Sequence, residues 1–206
     1  MRKFVFLLAI LVIPLCLQAQ SDTTLVYLED IDSTIVKDVK YATTDNFTKQ
    51  VLYPNDDVLV RKIVGEKLAE AHRYLMENHN LRIKVFDAFR PYSVTKLMWE
   101  IYPDDRYVAN PAKGSRHNRG AAVDVTLIDE DGNELDMGTP FDAFTEKSHY
   151  AYEDLSDEVK ANRKLLRDVM VQHGFEPLTS EWWHFDFKGW TRFSILDWDY
   201  EKAPKK

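Results

Sequence analysis

Val60, Val64, Leu68, Ala71 and Leu75 recur three and four residues apart, which gathers them on one side of an α-helix. The spacing predicts a first amphipathic helix over residues 57–77. Ile83, Val85 and Phe86 follow as a short strand that ends at Arg90-Pro91, because proline cannot donate to the ladder. Ser93 is placed to cap a second helix running to Ile101. A long polar loop occupies 103–120. Residues 121–129 alternate as a strand, and Asp131-Gly132 suits a tight turn back through Leu135. Val159, Leu165, Leu166, Val169 and Met170 mark a later helix, capped near Ser156 and closed by Gly174. Residues 182–187 predict a final aromatic strand, and 22–38 an extended arm leading into the fold. Helices followed by antiparallel strands, with no internal repeat and no linker, predict one α+β domain rather than a doubly wound sheet.

The first residues carry a different pattern. Arg2 and Lys3 precede a nearly unbroken apolar run from Phe4 to Leu17, and Leu17-Gln18-Ala19 supplies a small residue before a cut. That is the layout of a secretory signal over residues 1–19, too short for a comfortable membrane span. The expectation is an exported, periplasmic domain over 20–206 with no stable membrane span after processing. Cleavage there removes Cys16, the one cysteine of the 206 residues, along with two positive charges. A lipid-modified Cys16 is the alternative, for which Leu15 is a poor preceding residue.

Composition narrows the chemistry. The chain is 45% hydrophobic and 30% charged, with 11 Phe, 10 Tyr and 5 Trp, enough to build a globular core. Its net charge of −7 excludes a basic nucleic-acid stripe. With one cysteine, neither a disulfide framework nor a thiolate metal site is available, so any metal must be held by His, Asp and Glu.

Two clusters stand out. In SRHNRGAAVD (115–124), Asp124 falls on the strand face opposite Val123, Val125 and Leu127, and His117 can fold back over it. A carboxylate inside an apolar strand must be paired or bound to metal. In EWWHFDF (181–187), Glu181 precedes His184 by three residues among bulky aromatics. A zinc hydrolase needs three protein ligands, an open position, and a carboxylate that takes the proton of water. His117, Asp124 and His184 can serve as ligands and Glu181 as the base. The same residues also suit a buried His–Asp pair tying down the loop and an aromatic core strand with a satisfied histidine. His72 and His79 read as solvated, His173 as a helix C-terminal cation, and His149 as a loop residue near the site.

Taken together, SRHNRGAAVD and EWWHF resemble the zinc D-Ala-D-Ala peptidases, whose pattern is S-x-H-x-x-G-x-A-x-D followed by E-x-x-H. DVKYATTDNF (38–47), FDAFRP (86–91) and MGTPFDAFTEKSH (137–149) resemble the D-alanyl-D-alanine dipeptidase branch, the vancomycin-resistance type. The likeness runs from Asp38 to Phe187. It implies an α+β fold related to the hedgehog signalling domain, one zinc per chain held by His117, Asp124 and His184, and Glu181 as acid/base. It further implies Arg90 as transition-state stabiliser, and Ser115 and Asp142 as lining for a small dipeptide substrate. A D,D-carboxypeptidase or peptidoglycan endopeptidase is the rival enzyme. A non-catalytic zinc module is the rival of another class, disfavoured by the presence of Glu181 and Arg90.

Overall fold

The computed structural model describes residues 24–198, and the signal expected over residues 1–19 lies outside them. In chain order the elements are β1 (Leu25–Tyr27), α1 (Leu28–Ile31), β2 (Val36–Lys37), β3 (Leu59–Arg61) and α2 (Lys62–His79). Then come β4 (Arg82–Asp87), α3 (Tyr92–Ile101), β5 (Ala122–Ile128), α4 (Asp157–Gln172), β6 (Phe175–Pro177) and β7 (His184–Phe187). This is the α+β class expected from the sequence. The main sheet has the order β2-β4-β5-β7-β6, and β1 pairs with β3 in a separate two-stranded ribbon. All neighbours in the main sheet are antiparallel except the edge strand β2, which runs parallel to β4. The sheet is therefore mixed at one edge rather than wholly antiparallel.

The arm predicted over 22–38 is part of the fold. It supplies β1, α1 and β2, and Leu28 is buried in the core. The helix predicted over 57–77 is α2 and begins at Lys62, because Leu59–Arg61 is taken by β3, and so Val60 faces the core from a strand. Its buried side is the predicted one, with Val64, Leu68, Ala71 and Leu75. His72 is buried too, contrary to the solvated reading. Its Nδ1 accepts the Ile83 amide at 3.0 Å and its Nε2 lies 3.0 Å from the Thr34 hydroxyl. The imidazole thus pins α2 to both β4 and the N-terminal arm, and burial holds its pKa below the ordinary value.

The caps follow local sequence at one helix and not at another. The Ser156 hydroxyl accepts the Val159 amide and starts α4 as a side-chain cap does. Ser93 does not cap α3. Its amide donates to Asp197 Oδ1 at 2.7 Å, so the cap comes from a carboxylate far along the chain. Residues 129–133 make the predicted turn, closed by Asp129 N–H to the Asn133 carbonyl and by Leu135 N–H to the Leu127 carbonyl.

One face of the sheet carries Ile83, Val85, Val123, Val125, Leu127 and Phe185, all buried in the same core cluster as Leu68, Leu75, Leu166 and Met170. The other face carries a polar row. A bulge between Val85 and Asp87 shifts the β4/β5 register, so that Asp87 rather than Phe86 stands opposite Asp124. Across β7, Asp124 pairs with His184 and Ala122 with Asp186. Cross-strand partners share a face, so Asp87, Asp124 and His184 form one line across three strands.

Candidate metal centre

Strand pairing places two of the three predicted ligands side by side, and a loop delivers the third. His117 opens a short 3-10 turn over His117–Arg119, which ends at Gly120 with φ +65°. A Cβ there would lie 2.7 Å from Leu25 and 3.3 Å from the Arg61 amide, besides the left-handed strain. Gly120 thus lets the chain reverse tightly against β3 and swing His117 over the polar face. The potential ligand atoms of His117, Asp124 and His184 all lie within 4.8 Å of one another, and all three residues are buried.

Their hydrogen bonds fix which atoms face inward. His117 Nδ1 lies 2.7 Å from the Ala88 carbonyl, which can only accept, so this nitrogen carries the proton and Nε2 points to the centre. His184 Nε2 lies 2.9 Å from Asp186 Oδ1, so its Nδ1 points inward in turn. Those inner nitrogens are 3.1 Å apart, and Asp124 Oδ1 is 3.0 Å from His184 Nδ1. Two imidazole lone pairs and a carboxylate therefore converge in a buried space, an arrangement that calls for a cation. The preference shows in the ionisation. Burial opposes charge on Asp124 and on His184, yet His117 and His184 outweigh it at Asp124, and Asp124 and Asp186 outweigh it at His184. Asp124 is held well below the usual carboxylate range and His184 well above the usual imidazole range. Acceptors behind both histidines also match the outer partners that orient metal-binding imidazoles. The donor set fits a divalent metal of the zinc kind.

Glu181 occupies a turn before β7, as the sequence required. Its carboxylate reaches to 4.0 Å from His184 Nδ1. Burial pushes its pKa up to about 7; His184 works against the rise and Asp124 adds to it. Trp182 and Trp183 belong to this turn and not to the strand, which begins at His184. Both indoles are buried, packed edge to face with centroids 5.4 Å apart. They wall the turn that presents Glu181.

Arg90, Ser115 and Asp142 line the same cleft of about 250 Å³ as the ligand set and Glu181. Arg90 donates from Nε and Nη2 to Asp87 Oδ2 at 3.1 and 2.6 Å, and Asp87 Oδ1 accepts the Tyr53 hydroxyl. Asp87 keeps the buried guanidinium charged despite the cost of burial. Ser115 Oγ accepts the His117 amide and so braces the ligand loop. Asp142 has φ +57°, a left-handed conformation that aspartate tolerates better than most residues. Its Oδ2 accepts the Tyr41 hydroxyl at 2.8 Å, and Tyr41 in turn lies under the Arg90 guanidinium at 5.1 Å. Burial pushes the Asp142 carboxyl well up; the Tyr41 bond opposes this and Asp124 reinforces it. His149 does not line the cleft.

Four contributors lie within the quoted motifs but received no task from the sequence: Asp87, Asp186, Tyr41 and Asn118. Asn118 is fully buried and connects the parts. Its Oδ1 accepts the Ser115 amide, while its Nδ2 donates to the Arg90 carbonyl and to Thr95 Oγ1. Only the position of Asn118 next to His117 hints at this.

A buried donor triad on the polar face of an α+β sheet, with an ionisable acid beside it in a cleft, is the arrangement of a metal-dependent hydrolase. Comparison with known proteins specifies which kind. A family profile described as D-Ala-D-Ala dipeptidase matches residues 21–202, and the chain belongs to that family. It is 37% identical over 177 residues to a D-alanyl-D-alanine dipeptidase of Escherichia coli, covering 85% of this chain and 91% of the relative. An Enterococcus faecium protein of the same description is 34% identical over 182 residues, covering 77% and 89%. Among solved structures, the vancomycin-resistance D,D-dipeptidase VanXYg, in complex with a D-Ala-D-Ala phosphinate analogue, aligns with a TM-score of 0.38. Its identity is 18%, over 65% of this chain and 52% of that one. The chain is thus an enzyme of dipeptide hydrolysis.

Proposed function

We propose that the protein is an exported zinc dipeptidase that hydrolyses free D-Ala-D-Ala to two D-Ala in cell-wall metabolism or glycopeptide resistance. The observation that carries this reading is the convergence of His117 Nε2, Asp124 and His184 Nδ1 beside Glu181 in one cleft. The named substrate of the family's relatives supports the choice of dipeptide.

His117, Asp124 and His184 would hold the metal. When bound, zinc supplies Lewis-acid polarisation of the scissile carbonyl and acidifies water. Glu181 accepts a proton from the attacking water at its carboxylate and later delivers it to the leaving amine nitrogen, as the C–N bond breaks. Arg90, locked by Asp87, presents a fixed positive charge to the oxygen that becomes anionic. Asp87, Tyr53 and Asn118 keep that charge in place, so little reorganisation accompanies the reaction. The direct test is metal analysis with a two-substrate assay. About one zinc per chain is expected, as a three-ligand site requires. Free D-Ala should be released from D-Ala-D-Ala but hardly from a stem pentapeptide. Equal release from both turns the assignment to a D,D-carboxypeptidase, and release from neither to a binding module.

Asp142 decides the preference for a dipeptide. A free dipeptide brings an ammonium group, and desolvating it without an anion costs several kcal/mol. Asp142 supplies the anion. Burial raises its pKa in the empty cleft, and an ammonium group beside it favours the ionised form. An N-blocked peptide offers no such charge, so the same carboxyl disfavours it. Asp142→Asn should lower kcat/KM for D-Ala-D-Ala by on the order of 10²-fold, the scale of a lost charged hydrogen bond. N-acetyl-D-Ala-D-Ala should be affected far less. Equal cleavage of the free and acetylated dipeptides by the unaltered enzyme would dispose of the ammonium clamp.

Export rests on the charged start, the apolar run and Ala19. No helix among the described residues is long and apolar enough to cross a membrane. Mass spectrometry of the protein from its own cells should find an N-terminus at Gln20 or within a residue of it, outside the cytoplasm. Recovery of a chain beginning at Met1 from the cytoplasm is the contrary result.

A further inference from the structure

A free dipeptide is a zwitterion, and Asp142 answers only its ammonium group; the carboxylate needs a partner of its own. Three arginines line the cleft: Arg90, Arg106 and Arg116. Arg90 is committed to Asp87. Arg106 points largely to solvent, with its side chain 72% exposed and both oxygens of Asp104 engaging it. Arg116 differs from both. It lies between Ser115 and His117, and its side chain is 45% exposed. Its guanidinium is supported on the Trp190 ring at 4.8 Å. Its nearest acid is Asp186, with Nε 3.5 Å from Oδ2, and the other oxygen of Asp186 already serves His184. The Arg116 side chain makes no hydrogen bond to another described residue, so its planar fork is free for an anion.

Asp142 and Arg116 line one cleft but belong to separate networks. Asp142 belongs to a network with Tyr41, Arg90 and Asp87 on β4. Arg116 belongs to one with Asp186 on β7 and with Trp190. The ligand set lies between the two. His117 Nδ1 is 3.7 Å from Asp87, and His184 Nε2 is 2.9 Å from Asp186. Asp142 and the guanidinium of Arg116 complement the ammonium and carboxylate groups of a dipeptide.

We infer that Arg116 binds the free carboxylate of the dipeptide and sets the enzyme's preference for substrates with an ionised C-terminus. The inference rests on the dipeptidase reading. A guanidinium suits this task because it offers two parallel N–H donors to a carboxylate, and an aromatic face beneath it limits its rotamers. The rest of the fold does not depend on it, since Arg116 is exposed.

The test uses the zinc-loaded full-length mature enzyme, D-Ala-D-Ala and its C-terminal amide, with Arg116→Gln and Arg116→Lys. Wild type should prefer the acid over the amide. Arg116→Gln should raise KM for the acid on the order of 10- to 100-fold, the scale of a charged hydrogen bond, leaving kcat and zinc content near wild type. Its preference over the amide should vanish, and Arg116→Lys should restore part of it. A preference unchanged in Arg116→Gln overturns the anchor. So does an equal loss on both substrates with a fall in zinc content, which would mean that Arg116 acts through Asp186 and His184. A wild-type enzyme that is active but makes no distinction between acid and amide overturns it as well. Wild type inert on both substrates overturns the dipeptidase reading, and the anchor with it.

Discussion

His117→Ala and His184→Ala should each yield a folded protein without stoichiometric zinc and without measurable release of D-Ala. Each substitution leaves two of three donors, and the remaining pair cannot hold a divalent ion against hydration in a small buried space. Either change also leaves an acceptor behind without its donor, the Ala88 carbonyl in one case and Asp186 in the other. The fold should survive, because the sheet register and the core on the opposite face do not involve these imidazoles. Asp186→Asn is the informative contrast. It retains every ligand and removes the charge behind His184 and beside Arg116, so zinc affinity should fall by roughly 10- to 100-fold rather than vanish. Undiminished zinc in both alanine variants would show that the metal is held elsewhere.

The clustering of the candidate ligands and the candidate base was legible because each motif is local. His117 and Asp124 are separated by one tight turn, and Glu181 and His184 by one more, so spacing and strand alternation sufficed to align them. What surrounds them was not legible. Asp87 reaches the site only because the β4 strand bulges at Phe86, and period two alone would have put Phe86 opposite Asp124. The cap of α3 is Asp197, whose pairing with the Ser93 amide depends on where the C-terminal segment crosses the fold. His72 sits among charged neighbours in sequence, yet the helical phase of Leu68, Ala71 and Leu75 turns it inward onto the Ile83 amide. Strands of two or three residues, such as β2 and β6, carry too few positions to show alternation. Trp182 and Trp183 show the opposite failure. Their β-propensity suggested strand, but the chain needed a turn there to aim Glu181, and burial of both rings stabilises that turn.

Glu181→Gln should separate catalysis from stability. Glutamine keeps the shape of the side chain and cannot take a proton from water, so kcat should drop by roughly 10²- to 10⁴-fold with zinc content retained. The stability change should have the opposite sign. In the metal-free protein burial raises the Glu181 pKa from 4.5 to about 7. Between those values the folded state holds a proton that the unfolded chain has released. Stability of the unaltered protein therefore falls as pH rises from about 4.5 to about 7, and the loss is complete above that. Glutamine has no charge to desolvate and escapes the loss. At about 1.4 kcal/mol for each pH unit between the two values, metal-free Glu181→Gln should gain up to about 3 kcal/mol over wild type at pH 8, and much less at pH 5. Zinc narrows the gap, because a nearby divalent cation favours the ionised carboxylate and brings its pKa down. The acid limb of kcat/KM in the zinc enzyme should for that reason lie below pH 7. Denaturant unfolding of both proteins, with and without zinc, at pH 5 and pH 8 measures each part. Near-normal turnover in Glu181→Gln would remove Glu181 as the base. A stability gain that does not grow with pH would show that its carboxyl is not held neutral by burial.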